Sequence, residues 1–113
     1  MEFSFEKQGS IMIIGLNGRL DTSNYTEFEN KLLEEILPGS SVLIDCTHLD
    51  YISSSGLRVL LLALKKTEKI NSKLALCSLQ AVIMDVFRIS AFDSIFSIFP
   101  DKTEALGKLQ DKS

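Results

Sequence analysis

The chain has 113 residues and a mass of 12.6 kDa, 45% hydrophobic and 24% charged, with a formal net charge of −3 and a pI near 5.1. That length suits one domain with a hydrophobic core of its own, and the mild acidity argues against a nucleic-acid binder, which carries a basic face. The longest apolar run, Val59 to Leu64, is six residues, far short of the roughly 20 that cross a bilayer. The first residues, Met1 to Glu6, lack the basic start and apolar stretch of a signal peptide. Cys46 and Cys77 stand 31 apart without a C-x-x-C pair, which reads as free thiols in a reducing compartment. The expectation is a single cytoplasmic domain over residues 1–113.

Phe3 and Phe5 alternate with Ser4 and Glu6, the pattern of a short half-buried strand. Gly9-Ser10 supplies a turn, and Ile11 to Leu16 forms a second, nearly continuous apolar strand. Asp21-Thr22-Ser23-Asn24 is a run of helix-capping types. It precedes Tyr25, Phe28, Leu32, Leu33 and Ile36, spaced by three and four as on one face of a helix, and Pro38-Gly39 closes that helix. Val42-Leu43-Ile44 runs without alternation into Asp45, as a central strand does. After a loop, Leu57, Leu60, Leu61 and Leu64 mark a second helix whose lysines crowd its C-terminal end. Lys73 to Cys77 reads as a strand, and Ser78 as the cap of a third helix carrying Val82, Ile83, Val86 and Phe87. Ile95 to Phe99 reads as an edge strand before Pro100. Asp101 with Glu104 forms the capping box of a last helix.

The order β-β-α-β-α-β-α-β-α predicts an α/β fold: an N-terminal β-hairpin, then a mixed, mostly parallel sheet of four to five strands. Right-handed crossovers would place the helices mainly on one face.

The unusual stretch is Asp50-Tyr51-Ile52-Ser53-Ser54-Ser55-Gly56-Leu57. It lies beyond the carboxyl end of the central strand, where open α/β sheets gather ligands and reactive groups. One serine would suffice as a helix cap; three leave two unexplained. A serine at a helix N-terminus is also a plausible phosphoacceptor, because the unpaired N–H groups tolerate an anion. A phosphate there adds about −1.5 to −2 charges to a surface that can face a partner. Both readings stand on the residues alone.

Gly18-Arg19-Leu20-Asp21, Val42-Leu43-Ile44-Asp45 and the serine stretch with its Gly-Leu together resemble the STAS family of anti-sigma factor antagonists, from roughly Phe3 to Leu109. The resemblance implies a non-enzymatic switch. Its unphosphorylated form binds an anti-sigma factor with serine-kinase activity, phosphorylation of a loop serine breaks that complex, and a metal-dependent serine phosphatase restores it. The family's Asp-Ser-x-Gly-Leu motif, aligned on Gly56-Leu57, places the phosphoacceptor at Ser54, with Ser53 and Ser55 as competitors. Ser53 stands where the motif has Asp, and Arg58 where the family often has a small residue. The partner-facing set implied is Asp21, Asp50, Ser53, Ser55, Gly56 and Arg58, with Asp21 also readable as a helix N-cap. No cofactor or metal, no nucleic acid and no membrane is implied. A STAS module acting as a scaffold or a small-ligand sensor is the alternative.

Other chemistry is thin. His48 is the only histidine, expected in a polar loop, and a serine hydrolase would also need a G-x-S-x-G elbow that is not there. Asp45 ends its strand as a receiver-domain phosphoacceptor would, but the acidic pair a receiver needs after its first strand is missing. Cys46 and Cys77 are expected to be buried and inert.

Overall fold

The structure, a computed structural model, describes residues 2–110. The outermost positions of the expected domain, 1 and 111–113, lie outside the described residues. Strands β1 (Glu2–Gln8) and β2 (Ile11–Leu20) form the hairpin, turning at Gly9 with its φ of 64°. Helix α1 (Tyr25–Glu35), strand β3 (Ser41–Ile52), helix α2 (Ser54–Lys69), strand β4 (Lys73–Cys77) and helix α3 (Ala81–Ile89) follow. A 3-10 turn at Phe92–Ser94, strand β5 (Ser97–Phe99) and helix α4 (Lys102–Leu109) complete the order.

The five strands lie side by side in sequence order, β1 antiparallel to β2 and all later pairs parallel. β3 is therefore central, and Val42, Leu43 and Ile44 are fully buried because both faces of the sheet are covered there. One face carries α1, α2 and α3, whose Phe28, Leu32, Val59, Leu60, Ala63, Ile83 and Phe87 close over Ile14, Ile44, Leu74 and Leu76. Among the described residues the other face carries α4 alone, with Ala105, Leu106 and Leu109 over Ile11, Ile13, Leu43 and Ala75. The expected mixed sheet with helices mainly on one face is the fold observed.

Four local readings are corrected. β3 does not stop near Asp45; it continues through Asp50 and Tyr51 to Ile52, pairing with β2 as far as Leu20. The polar residues 47, 48, 50 and 51 are exposed strand positions rather than loop, because the partner strand supplies hydrogen bonds that a single-sequence pattern does not reveal. α2 begins at Ser54, and its inward line is Gly56, Val59, Leu60, Ala63 and Thr67, with Leu57 and Leu64 on the flank. Small residues at 56 and 63 let the helix sit close to the sheet, which rotates the leucine stripe off the contact line. Ser78 caps nothing: it leaves β4 with φ 61°, donating its N–H to the Phe99 carbonyl at 3.1 Å, and Gln80 occupies the N-cap position of α3. Ile95 precedes the last strand, which is only Ser97–Phe99.

Candidate functional site

The two strands that run furthest at the carboxyl edge are β2 and β3, and their ends build the site. β2 is irregular twice on the way, between Gly15 and Asn17 and between Gly18 and Arg19. Gly18 takes φ 111°, a backbone conformation that a side chain strongly disfavours, so the second irregularity calls for glycine at this position. Beyond it Arg19 pairs with Tyr51 and Leu20 with Ile52, and the Ser53 N–H donates to the Leu20 carbonyl at 2.9 Å. The segment at Asp21 and the serine segment thus leave the sheet side by side.

The three serines have three different environments. Ser53 is extended (φ −87°, ψ 172°), and its Oγ accepts the Gly56 N–H at 3.2 Å, the geometry of an N-cap. Serine at the motif's aspartate position therefore keeps the capping function that either residue type performs. Ser54 is the first residue of α2 and is exposed; among the described residues its hydroxyl has no hydrogen-bond partner. Ser55 is half-buried in a groove of about 190 Å³ between α1 and α2, bordered by Tyr25, Glu29, Arg58 and Leu62. Gly56 is buried against the strand ends, and a Cβ there would lie 2.9 Å from Leu20 Cγ and Ile52 Cγ1. A side chain here would force Leu20 and Ile52 to shift, so glycine suits the close seat of the first turn of α2 over β2 and β3. Arg58, one turn after Ser54, is exposed.

Asp21 is held in a tight turn rather than capping α1. Its Oδ1 accepts the Ser23 hydroxyl at 2.6 Å and the Ser23 N–H at 3.0 Å, and these bonds hold its carboxyl below the ordinary 3.8. Asn24 occupies the N-cap position, but its side chain turns back, donating to the Arg19 carbonyl at 2.8 Å and accepting the Asp21 N–H at 2.9 Å. Residues 19–24 are thereby fastened to one another. Asp50 is exposed on β3, and Gln80 Nε2 donates to it at 3.4 Å and to the Thr47 carbonyl at 3.0 Å, linking the start of α3 to the site.

Two neighbours escaped the sequence reading. The Arg19 guanidinium lies 4.2 Å from the centroid of the Tyr51 ring and 3.8 Å from the Asp21 carboxylate, while the ring itself stays 40% exposed. Only the strand pairing of 19 with 51 announces this, and residues 46–52 read as loop from the sequence. His48 faces a different depression with Phe3, Asn17 and Asp45. Among the described residues no group of three His, Cys, Asp or Glu could hold a metal ion, and no helix is long and apolar enough to cross a membrane.

A hairpin-led mixed sheet with a capped serine run at its carboxyl edge defines a small α/β domain of the STAS type. The chain belongs to the STAS domain family, whose pattern matches residues 2–105. It is 36% identical over 99 residues to BtrV of Bordetella bronchiseptica, a protein assigned as an anti-sigma factor antagonist, covering 87% of this chain and 85% of that one. In fold it is similar to a Thermotoga maritima protein likewise assigned as an anti-sigma factor antagonist, with a TM-score of 0.89, 21% identity and coverage of 96% and 95%. It is also similar to the anti-sigma factor antagonist SpoIIAA in its unphosphorylated form, with a TM-score of 0.82, 20% identity and coverage of 96% of each chain. SpoIIAA of Bacillus in its phosphorylated form matches at a TM-score of 0.75, 20% identity and coverage of 96% and 100%.

Proposed function

We propose that this chain is an anti-sigma factor antagonist switched by phosphorylation of Ser54. Unphosphorylated, it binds an anti-sigma factor that is also a serine kinase and so frees a sigma factor; phosphorylated, it lets go, and a serine phosphatase resets it. The observation that carries the reading is the division of labour among the serines. Ser53 is engaged as the cap and Ser55 is half-buried, whereas the Ser54 hydroxyl is exposed and unengaged at the first turn of α2. In the transfer, Ser54 Oγ forms the new bond to the γ-phosphorus of ATP, the bond to the β-phosphate oxygen breaks, and the hydroxyl proton passes to a base on the kinase. The similarity to BtrV, and to a fold relative that exists in phosphorylated and unphosphorylated forms, supports the same reading.

The added charge is enough for the site to act as a switch. A phosphate takes the net charge from −3 to about −5, beside Asp21 and Asp50. The N-terminus of α2 offsets part of that by about 0.3–1 kcal/mol, so the fold persists. A partner surface packed over the loop has no such compensation, and an unpaired charge buried there costs several kcal/mol. Asp21, Asp50, Ser53, Ser55, Gly56 and Arg58 form the contact surface in this proposal, joined by Tyr51 and its Arg19 cover. Affinity for the cognate anti-sigma kinase tests it. Ser54→Ala should bind as the unmodified protein does, while Ser54→Asp should bind at least about 100-fold more weakly, a difference of roughly 2.7 kcal/mol. Equal affinity of the two variants would refute the proposal.

A further inference from the structure

Arg58 lies four residues after Ser54 on α2, exposed, and among the described residues it has no hydrogen bond or ion pair. Residues at that separation share a helix face with Cβ atoms about 5–6 Å apart, and helical side chains lean toward the N-terminus. A side chain at position 58 is therefore within reach of one at position 54. An anion placed four residues before a cation is the favourable order along a helix. Glu29 of α1 borders the same groove as Arg58 but does not pair with it. Arg19, the other nearby guanidinium, is already engaged by Tyr51 and Asp21.

We infer that Arg58 is the internal counter-ion of a phosphate on Ser54, held one helical turn from the acceptor. The inference rests on the reading of Ser54 as the phosphoacceptor. Guanidinium presents paired N–H donors in a plane that matches two phosphate oxygens, which an ammonium does not. Once phosphate arrives, Arg58 folds over it and neutralises part of its charge within the free domain. Any partner seated on the loop must then displace or desolvate that pair in addition to accommodating the phosphate. The modification thus places Arg58, a member of the partner-facing surface, out of reach of the partner as well as adding charge.

The test is the titration of the phosphate itself. Full-length protein with phosphoserine encoded at position 54 needs no kinase, so the outcome is independent of whether a kinase modifies Ser54 in the cell. The phosphate's second ionisation, ordinarily near pH 6, is followed by 31P NMR. The charged groups on the neighbouring segments are Asp21 after β2, Asp50 on β3 and Glu29 on α1, which would raise that pKa, and Arg19 and Arg58, which would lower it. Arg58→Gln should raise the midpoint by roughly 0.2–0.4 pH unit, and Arg58→Lys by less. Lys65→Gln removes the same charge from an exposed position further along α2 and should leave the midpoint nearly unchanged. Unphosphorylated Arg58→Gln should keep the wild-type melting temperature. A midpoint unmoved by Arg58→Gln, or moved equally by Lys65→Gln, would overturn the inference. Absence of phosphate transfer to Ser54 by the kinase would count against the proposed function and leave this measurement intact.

Discussion

Replacing Ser53 separates its structural task from any signalling one. Its Oγ is the acceptor for the Gly56 N–H, one of the donors that α2 cannot satisfy within itself. Ser53→Ala removes that acceptor, and loss of an N-cap side chain costs about 1 kcal/mol. At about 2.1 cal/mol/K per residue, the unfolding entropy of 113 residues is about 0.24 kcal/mol/K. The melting temperature should therefore fall by about 4 °C. Ser53→Asp keeps an acceptor in the same place and adds a negative charge at the helix N-terminus, worth about 0.3–1 kcal/mol. It should melt at or above the wild-type temperature. Ser53→Gly, which caps through backbone freedom alone, should lie between wild type and alanine. Differential scanning calorimetry of the four proteins under one buffer condition gives the order. An alanine variant that melts with wild type, or an aspartate variant below alanine, would show that Ser53 is not the working cap.

Three other outcomes follow from the same geometry. Gly56→Ala should destabilise by about 1–2 kcal/mol in urea titration, because the new methyl meets Leu20 and Ile52 at 2.9 Å and overpacking outweighs the gain in helix propensity. Asp21 has a lowered folded pKa, so the folded chain binds that proton less tightly than the unfolded chain. Its contribution is present above the unfolded value near 3.8 and disappears as pH falls through the lower folded value. Denaturant midpoints of Asp21→Asn and wild type should accordingly differ at pH 7 and 5 and converge below pH 3.8. Burial pushes the thiols of Cys46 and Cys77 above the ordinary 9.0. Native protein at pH 8 should consume almost no thiol reagent, and unfolded protein two equivalents.

The sequence carried the fold through periodicity and punctuation. The hairpin at Gly9-Ser10, the α1 stripe from Tyr25 to Ile36 and the Asp101 cap, whose carboxylate accepts the Glu104 N–H at 2.8 Å, are all encoded locally. What it hid depends on partners distant in the chain. Residues 46–52 are polar at 47, 48 and 50, and only their ladder with Asn17 to Leu20 makes them strand. That concealed the Arg19–Tyr51 stack and the link from Gln80 to Asp50. The α2 leucines suggested one inward line, but Gly56 and Ala63 set the contact because close approach, rather than side-chain size, decides which face meets the sheet. At the site, the run of serines and its offset from Gly56 were visible in the sequence. Which serine caps and which stands free was not, since that turns on one 3.2 Å hydrogen bond.

The most direct test of the account is a phosphosite map after incubation with the cognate anti-sigma kinase and ATP. Wild type, Ser53→Ala, Ser54→Ala and Ser55→Ala are compared by intact mass and by fragmentation of the peptide that spans the serines. One phosphate per chain is expected, on Ser54, in wild type and in the Ser53 and Ser55 variants, and none in Ser54→Ala. Phosphate on Ser53 or Ser55 in the wild type, or undiminished transfer to Ser54→Ala, would contradict it.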